Sequence, residues 1–143
     1  MIVEFRKADA ARELRSLIAF DHKVFRKSDW FSTEEWRAYE SYWMLIDGRK
    51  VGCCAFERHP DTLDVVSSGI HPRHQRKGFG TVMKAWQVSF ARQQGFARMA
   101  TCSRLSNLPM IAINRKFGFK KVRIKRAYYG DPVESAVVME KLL

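Results

Sequence analysis

Between Ile70 and Thr81 the chain reads Ile-His-Pro-Arg-His-Gln-Arg-Lys-Gly-Phe-Gly-Thr. A β-branched run precedes this stretch and an amphipathic one follows it, so it has to turn an extended strand into a helix. That requirement restricts the fold to those in which a helix leaves the end of a strand. Gly78 and Gly80 can take backbone angles that bulkier residues resist, which lets consecutive N–H groups converge on an anion where the helix opens. Arg76 and Lys77 place positive charge beside those amides. The stretch is a candidate pyrophosphate cradle; a basic turn that binds nothing is the plainer alternative.

The charge around the cradle is lopsided. The net charge is +11, yet residues 1 to 71 hold 11 Lys/Arg against 12 Asp/Glu, while residues 72 to 143 hold 15 against 3. No Asp or Glu occurs between Asp64 and Asp131. This half of the chain offers anions an almost unopposed positive potential, which suits coenzyme A, a nucleic acid or an anionic acceptor. A length of 143 residues fits a single domain, 1-143, and 46% hydrophobic content with 13% aromatics excludes a disordered chain. No apolar run reaches membrane-spanning length, so no membrane partner is expected. The opening Met-Ile-Val-Glu-Phe-Arg-Lys lacks a signal-peptide core, and Cys53, Cys54 and Cys102 have neither zinc-site nor disulfide-framework spacing. These features predict a reducing, cytoplasmic setting and no metal; His22 and His59 belong to no ligand pattern.

Taken in order, residues 1 to 8 read as a strand and Asp9 as the N-cap of a helix carrying Leu14, Leu17, Ile18, Val24 and Phe25. Ser32 and Glu35 have capping-box spacing at the start of a short second helix. Two strands, 42 to 46 and 51 to 56, flank an Asp47-Gly48 hairpin turn, and His59-Pro60-Asp61 leads into a third, 63 to 70. Phe79, Met83, Trp86 and Phe90 then form an apolar stripe at helical spacing, closed by Gly95 and without a ligand role. A strand over 97 to 103 precedes a helix capped by Asn107 with Pro109 in its first turn, its buried side being Met110, Ile113 and Phe117. Strands over 119 to 127 and 136 to 142 close the chain around the turn Tyr128-Tyr129-Gly130-Asp131-Pro132. The expectation is an α/β fold: a mixed sheet of about seven strands flanked by about four helices.

The run Gln75-Arg76-Lys77-Gly78-Phe79-Gly80 after a strand ending Ile70-His71-Pro72 resembles the acyl-coenzyme A signature of the GNAT N-acetyltransferase superfamily. The order strand, two helices, three strands, helix, strand, helix, two strands is similar to that family's splayed fold over essentially the whole chain. Asn107, Met110, Ile113, Asn114 and the Phe117-Gly118-Phe119 end look like its second sequence block. The resemblance implies direct acetyl transfer from acetyl-coenzyme A, a co-substrate, to a primary amine. It also implies that backbone groups of Ile70 align the thioester and that the amides from Gln75 to Thr81, those of Phe79 and Gly80 included, hold the pyrophosphate. Asn107 would then steady the pantetheine arm, and a free N–H near Ile70 would meet the developing oxyanion.

Tyr128 and Tyr129, before the closing strand, resemble tyrosines that contact the peptide acceptor in the ribosomal-protein N-terminal acetyltransferases of this family. Those enzymes place a glutamate base where this chain has Cys102 and a tyrosine acid where it has Asn114. Asn114 is able to donate a hydrogen bond to the leaving thiolate but not a proton, which leaves Tyr129 or water to protonate sulfur. A transient acetyl-cysteine at Cys102 is disfavoured, because a lone strand cysteine is most often a small buried apolar residue. With no carboxylate between Asp64 and Asp131, a carboxylate base has to come from the N-terminal side. Asp64, which shares strand parity with Ile70, is the choice, followed by Glu57, His71 and water. The acceptor, a small amine or a peptide, is open, as is a homodimer. The competing reading is a non-catalytic nucleic-acid-binding module that grips phosphates with the basic run from Lys120 to Arg126.

Overall fold

The computed structural model describes all 143 residues, Met1–Leu143. The strands are β1 (Val3–Lys7), β2 (Glu40–Ile46), β3 (Arg49–Arg58), β4 (Thr62–Ile70), β5 (Arg98–Arg104), β6 (Lys120–Tyr129) and β7 (Glu134–Leu142). The helices are α1 (Leu14–Val24), α2 (Thr33–Ala38), α3 (Phe79–Gln93) and α4 (Leu108–Lys116), with 3-10 turns at Lys27–Asp29 and Pro72–His74. The seven strands form one mixed sheet in the order β1-β2-β3-β4-β5-β7-β6, in which β4 and β5 are parallel. This is the sheet and helix content that the sequence leads one to expect. The chain divides into two compact units, Met1–Glu57 with Val66–Gly80 and Arg58–Val65 with Thr81–Leu143.

In the first unit, Asp47 and Gly48 both have positive φ (49° and 80°), the two-residue turn that matches strand twist and lets β2 fold back on β3. Ser32 and Glu35 form the reciprocal capping box, with Glu35 N–H donating to Ser32 Oγ at 3.1 Å and Ser32 N–H to Glu35 Oε1 at 2.9 Å. Asp9 does not cap α1 directly. Its Oδ1 accepts from the amides of Ala11 and Arg12, closing an extra turn before the helix begins at Leu14. Leu17, Trp36, Trp43, Cys53 and Ala55 are the centre of the core. Buried Asp21 ties the α1–α2 connection to it, its Oδ2 accepting from Phe31 N–H and Trp36 Nε1 at 2.9 and 3.2 Å.

In the second unit β7 is buried on both faces, Ala136 to Met139 being at most 6% exposed, as expected of an apolar run between two strands. β6 is the edge strand, and its lysines and arginines guard an unpaired edge against association with other chains. Simple alternation fails in β6 because the register shifts between Lys121 and Arg123. Arg123 and Lys125 oppose Val138 and Ala136, Ile124 opposes Val137 on the other face, and Val122 lies at the irregularity, 50% exposed. On α3 the buried face is Met83, Lys84, Gln87, Val88 and Ala91, rotated from the expected stripe; Trp86 and Phe90 stack on each other at 5.2 Å, half-buried. On α4 the fully buried residue is Asn114, with Met110, Ile113 and Phe117 half-buried around it.

Candidate active site

The turn from Ile70 to Gly80 belongs to the first unit. At the end of β4, His71 N–H donates to Val51 O at 2.8 Å. Amide directions alternate along a strand, so the N–H and C=O of Ile70 face away from β3. The carbonyl is taken by Gln75, whose Nε2 donates to Ile70 O at 2.9 Å. His71 Nδ1 accepts from Arg73 N–H at 3.2 Å and caps the Pro72–His74 turn. Burial, then the charges of His74, Lys23 and Arg73, lowers the pKa of His71, which keeps the imidazole neutral. In the turn proper, Arg76 and Gly78 are left-handed, with φ of 62° and 83°. Gly80 uses no such freedom: it lies in the first turn of α3, and Arg76 takes the second left-handed position in its place. The amides of Phe79, Gly80 and Thr81 open α3 without helical partners, next to exposed Arg76 and Lys77. A Cβ added at Gly78 would meet nothing within 4 Å, so the space beside this residue is open.

The candidates Asp64, Cys102, Tyr128 and Tyr129 belong to the second unit. Asp64 pairs with Ala100 in the parallel ladder, and Cys102 lies two residues further along β5, so the carboxylate and the thiol share a sheet face. Cys102 Sγ lies 3.7 Å from the hydroxyl of Tyr129. Burial raises the Cys102 pKa and the charge of Asp64 adds to it, against a hydrogen bond with Tyr129 and the charge of Lys125. Cys102 is therefore a thiol at neutral pH, a poor nucleophile. His59 and Asp64 have polar side-chain atoms within 4.8 Å of each other. Tyr128 is 53% exposed and stands edge-on to Tyr129, with ring centroids 5.0 Å apart.

Asn107, Asn114 and Glu57 are the further candidates. Asn107 is an exposed N-cap whose Oδ1 accepts from Met110 N–H at 3.3 Å. Asn114 is 1% exposed, with Nδ2 3.8 Å from Met139 Sδ and Oδ1 buried without a partner. Glu57 is exposed near the end of β3. Two residues escaped sequence reasoning. Gly69, beside Ile70, is packed so closely that a Cβ would come within 2.9 Å of Val24 Cγ1 and 3.1 Å of the Phe25 ring. Arg104, at the end of β5, is buried and paired with Glu134. The signal for Arg104 was the acid count: residues 72 to 143 hold only Asp131, Glu134 and Glu140, so a buried arginine there had few partners to choose from.

The model of the acetyltransferase (GNAT) family matches residues 10–119, and the chain belongs to that family. A provisional ribosomal protein bS18-alanine N-acetyltransferase of Bacillus subtilis (strain 168) is 26% identical over 93 residues, 65% of this chain and 62% of that one. An N-alpha-acetyltransferase of Saccharolobus solfataricus is 34% identical over 80 residues, 55% of this chain and 47% of that one. The chain thus spans between about half and three fifths of the length of these curated relatives. Among solved structures, the ribosomal-protein-S18-alanine N-acetyltransferase from Escherichia coli superposes with a TM-score of 0.88 at 18% identity, covering 99% of this chain and 94% of that one; at that identity the likeness is one of fold. Members of the GNAT family use acetyl-coenzyme A as acyl donor. Nothing in these likenesses supports the nucleic-acid-binding alternative, and the edge position of β6 accounts for its charge. No helix is long and apolar enough to cross a membrane.

Proposed function

We propose that this protein acetylates the N-terminal α-amino group of a polypeptide, using acetyl-coenzyme A. The observation that carries the donor half of this reading is the turn in which Arg76 and Gly78 are both left-handed immediately before α3, under open space. Gln75 to Thr81 would hold the anionic end of the donor through main-chain N–H groups, with Asn107 beside the pantetheine arm. When bound, acetyl-coenzyme A supplies an activated acetyl group. Ile70, its N–H turned away from β3, is suited to receive negative charge as it develops on an acyl oxygen. Asp64 takes a proton from the incoming ammonium, and Tyr129 gives one to the departing thiolate. Asn114, fully buried, takes no part in this scheme.

The acceptor class follows from what the site lacks. An alkylammonium with a pKa near 10.4 is neutral at pH 7 in only about one molecule in a few thousand, whereas an α-amino group with a pKa near 7.8 is neutral in roughly one in seven. A site with Cys102 where its resembled relatives carry a glutamate base has less deprotonating power, and the α-amine is the acceptor that needs least. The names of the relatives and the exposed Tyr128 support the same choice.

The test is thiol release from acetyl-coenzyme A at pH 7 with three acceptor sets: peptides with a free N-terminus and no lysine, N-terminally blocked lysine peptides, and small alkylamines. The first set should be turned over fastest. Release confined to the other two would overturn the acceptor assignment, and no release with any would overturn the reading as a whole.

A further inference from the structure

Arg104 is 7% exposed, and both terminal nitrogens of its guanidinium are engaged. Nη2 donates to Gly130 O at 2.9 Å and Nη1 to Pro132 O at 2.9 Å, so one fork spans the turn between β6 and β7. Nη1 also lies 3.3 Å from Glu134 Oε1. Glu134 is fixed in its own right, because its Oε2 accepts from Ser106 N–H at 2.7 Å. The Arg104 Cζ sits 4.6 Å from the centroid of the Tyr129 ring. Tyr129 is therefore held on its face by a cation, at its tip by the neighbouring Cys102 thiol 3.7 Å away, and along its backbone by pairing with Glu134.

A buried cation is costly unless all its donors are met, and an apolar side chain would pack the end of β5 more cheaply. What the guanidinium adds is geometry. A planar fork satisfies two carbonyls and a carboxylate while presenting a flat face to an aromatic ring, which a lysine ammonium cannot do. We propose that Arg104 is a positioning residue for Tyr129: it fixes the phenol in the orientation from which its hydroxyl delivers a proton. This inference rests on the reading of Tyr129 as the proton donor to the departing thiolate, and it assigns to a buried arginine a role in turnover rather than in binding.

Acting through Tyr129 has a signature that mere structural support lacks. Once the hydroxyl is gone there is nothing left to position, so the effects of the two residues should not multiply. Steady-state turnover is to be measured for Arg104→Lys, Tyr129→Phe and the double variant, with thermal melts to confirm folding. Each single change should lower kcat about 10-fold, with the KM for acetyl-coenzyme A within about twofold of wild type, and the double variant should be no slower than Tyr129→Phe alone. Wild-type kcat in Arg104→Lys, or losses that multiply in the double variant, would overturn the positioning role and leave Tyr129 as the acid. Wild-type kcat in Tyr129→Phe would instead remove the acid assignment, and the positioning role with it. If Arg104→Lys does not fold, Glu134→Gln carries the test: it loosens the fork while leaving the cation, and should slow wild type about threefold but Tyr129→Phe not at all. Equal slowing of both backgrounds would count against the proposal.

Discussion

Gln75 donates its side-chain amide to the carbonyl of Ile70 at 2.9 Å, so the residue that opens the turn into α3 also closes the strand before it. Gln75→Leu keeps the size and removes the donor, leaving the Ile70 carbonyl without its side-chain partner. Affinity for acetyl-coenzyme A should fall about 10-fold, as expected for one hydrogen bond that orders a binding loop, with little change in melting temperature. Calorimetric titration of the donor reads this directly, and unchanged affinity would detach the strand end from donor binding.

Gly78→Asp tests the cradle itself. The position has a φ of 83° and no neighbour for a new Cβ, so the cost to folding is backbone strain alone, of the order of 1 kcal/mol. The added carboxylate would face the phosphates. Binding of acetyl-coenzyme A should be lost in a folded protein, and retained affinity would place the donor elsewhere.

Asp64→Asn removes the proposed base while preserving shape. Turnover should drop by roughly 10²-fold and the acidic limb of the rate profile should change, while donor affinity stays constant. Wild-type turnover with an unchanged profile would move the search to Glu57 or to water.

Glu13 offers a prediction about stability. Its carboxylate accepts from Asp9 N–H at 3.0 Å, Trp43 Nε1 at 3.1 Å and Lys50 Nζ at 3.1 Å, with Arg6 at 3.4 Å. The Asp9 amide first, then Lys50 and Arg6, hold its pKa down from an ordinary 4.5 to about 2 against the opposing effect of burial. A depressed carboxylate stabilises the fold fully above its unfolded value and loses that contribution as pH falls through its folded one. Glu13→Gln should therefore cost about 1–2 kcal/mol at pH 7, and the gap to wild type should close between pH 4.5 and about 2 in urea titrations. A gap that does not change with pH would show that Glu13 acts through packing alone.

Gly69→Ala probes the packing of the end of β4 against α1. A methyl group 2.9 Å from Val24 Cγ1 has to displace α1 or the strand end, so the variant should lose about 1–3 kcal/mol of stability. Thermal melts check it, and an undiminished melting temperature would show that the α1 contact yields freely.

The sequence carried its strongest signals where one residue type has one physical use. Asp47-Gly48 could only be a tight hairpin, and the Ser32–Glu35 pair could only be a capping box. The turn between β4 and α3 was legible for the same reason, although the left-handed positions fell on Arg76 and Gly78 and not on both glycines. Signals failed where tertiary contacts choose among equals. The face of α3 turned toward Met83 and Gln87 because neighbours, not periodicity, decide which side of a helix with apolar residues all round is buried. The bulge after Lys121 re-aimed β6, and no residue there announces a bulge. Arg104 was invisible as a clamp because its partners lie 26 to 30 positions away.

The cradle and the Cys102–Tyr129 pair differ in what they would offer a designed inhibitor. A compound gripping the turn from Gln75 to Thr81 meets main-chain amides, which have no side-chain identity and would look alike in any family member that shares the turn. A compound aimed at the thiol and phenol, 3.7 Å apart, meets side chains instead, whose identity can differ between family members. Because burial keeps that thiol protonated, a mild electrophile would label it slowly unless it were first held in place by its own binding affinity.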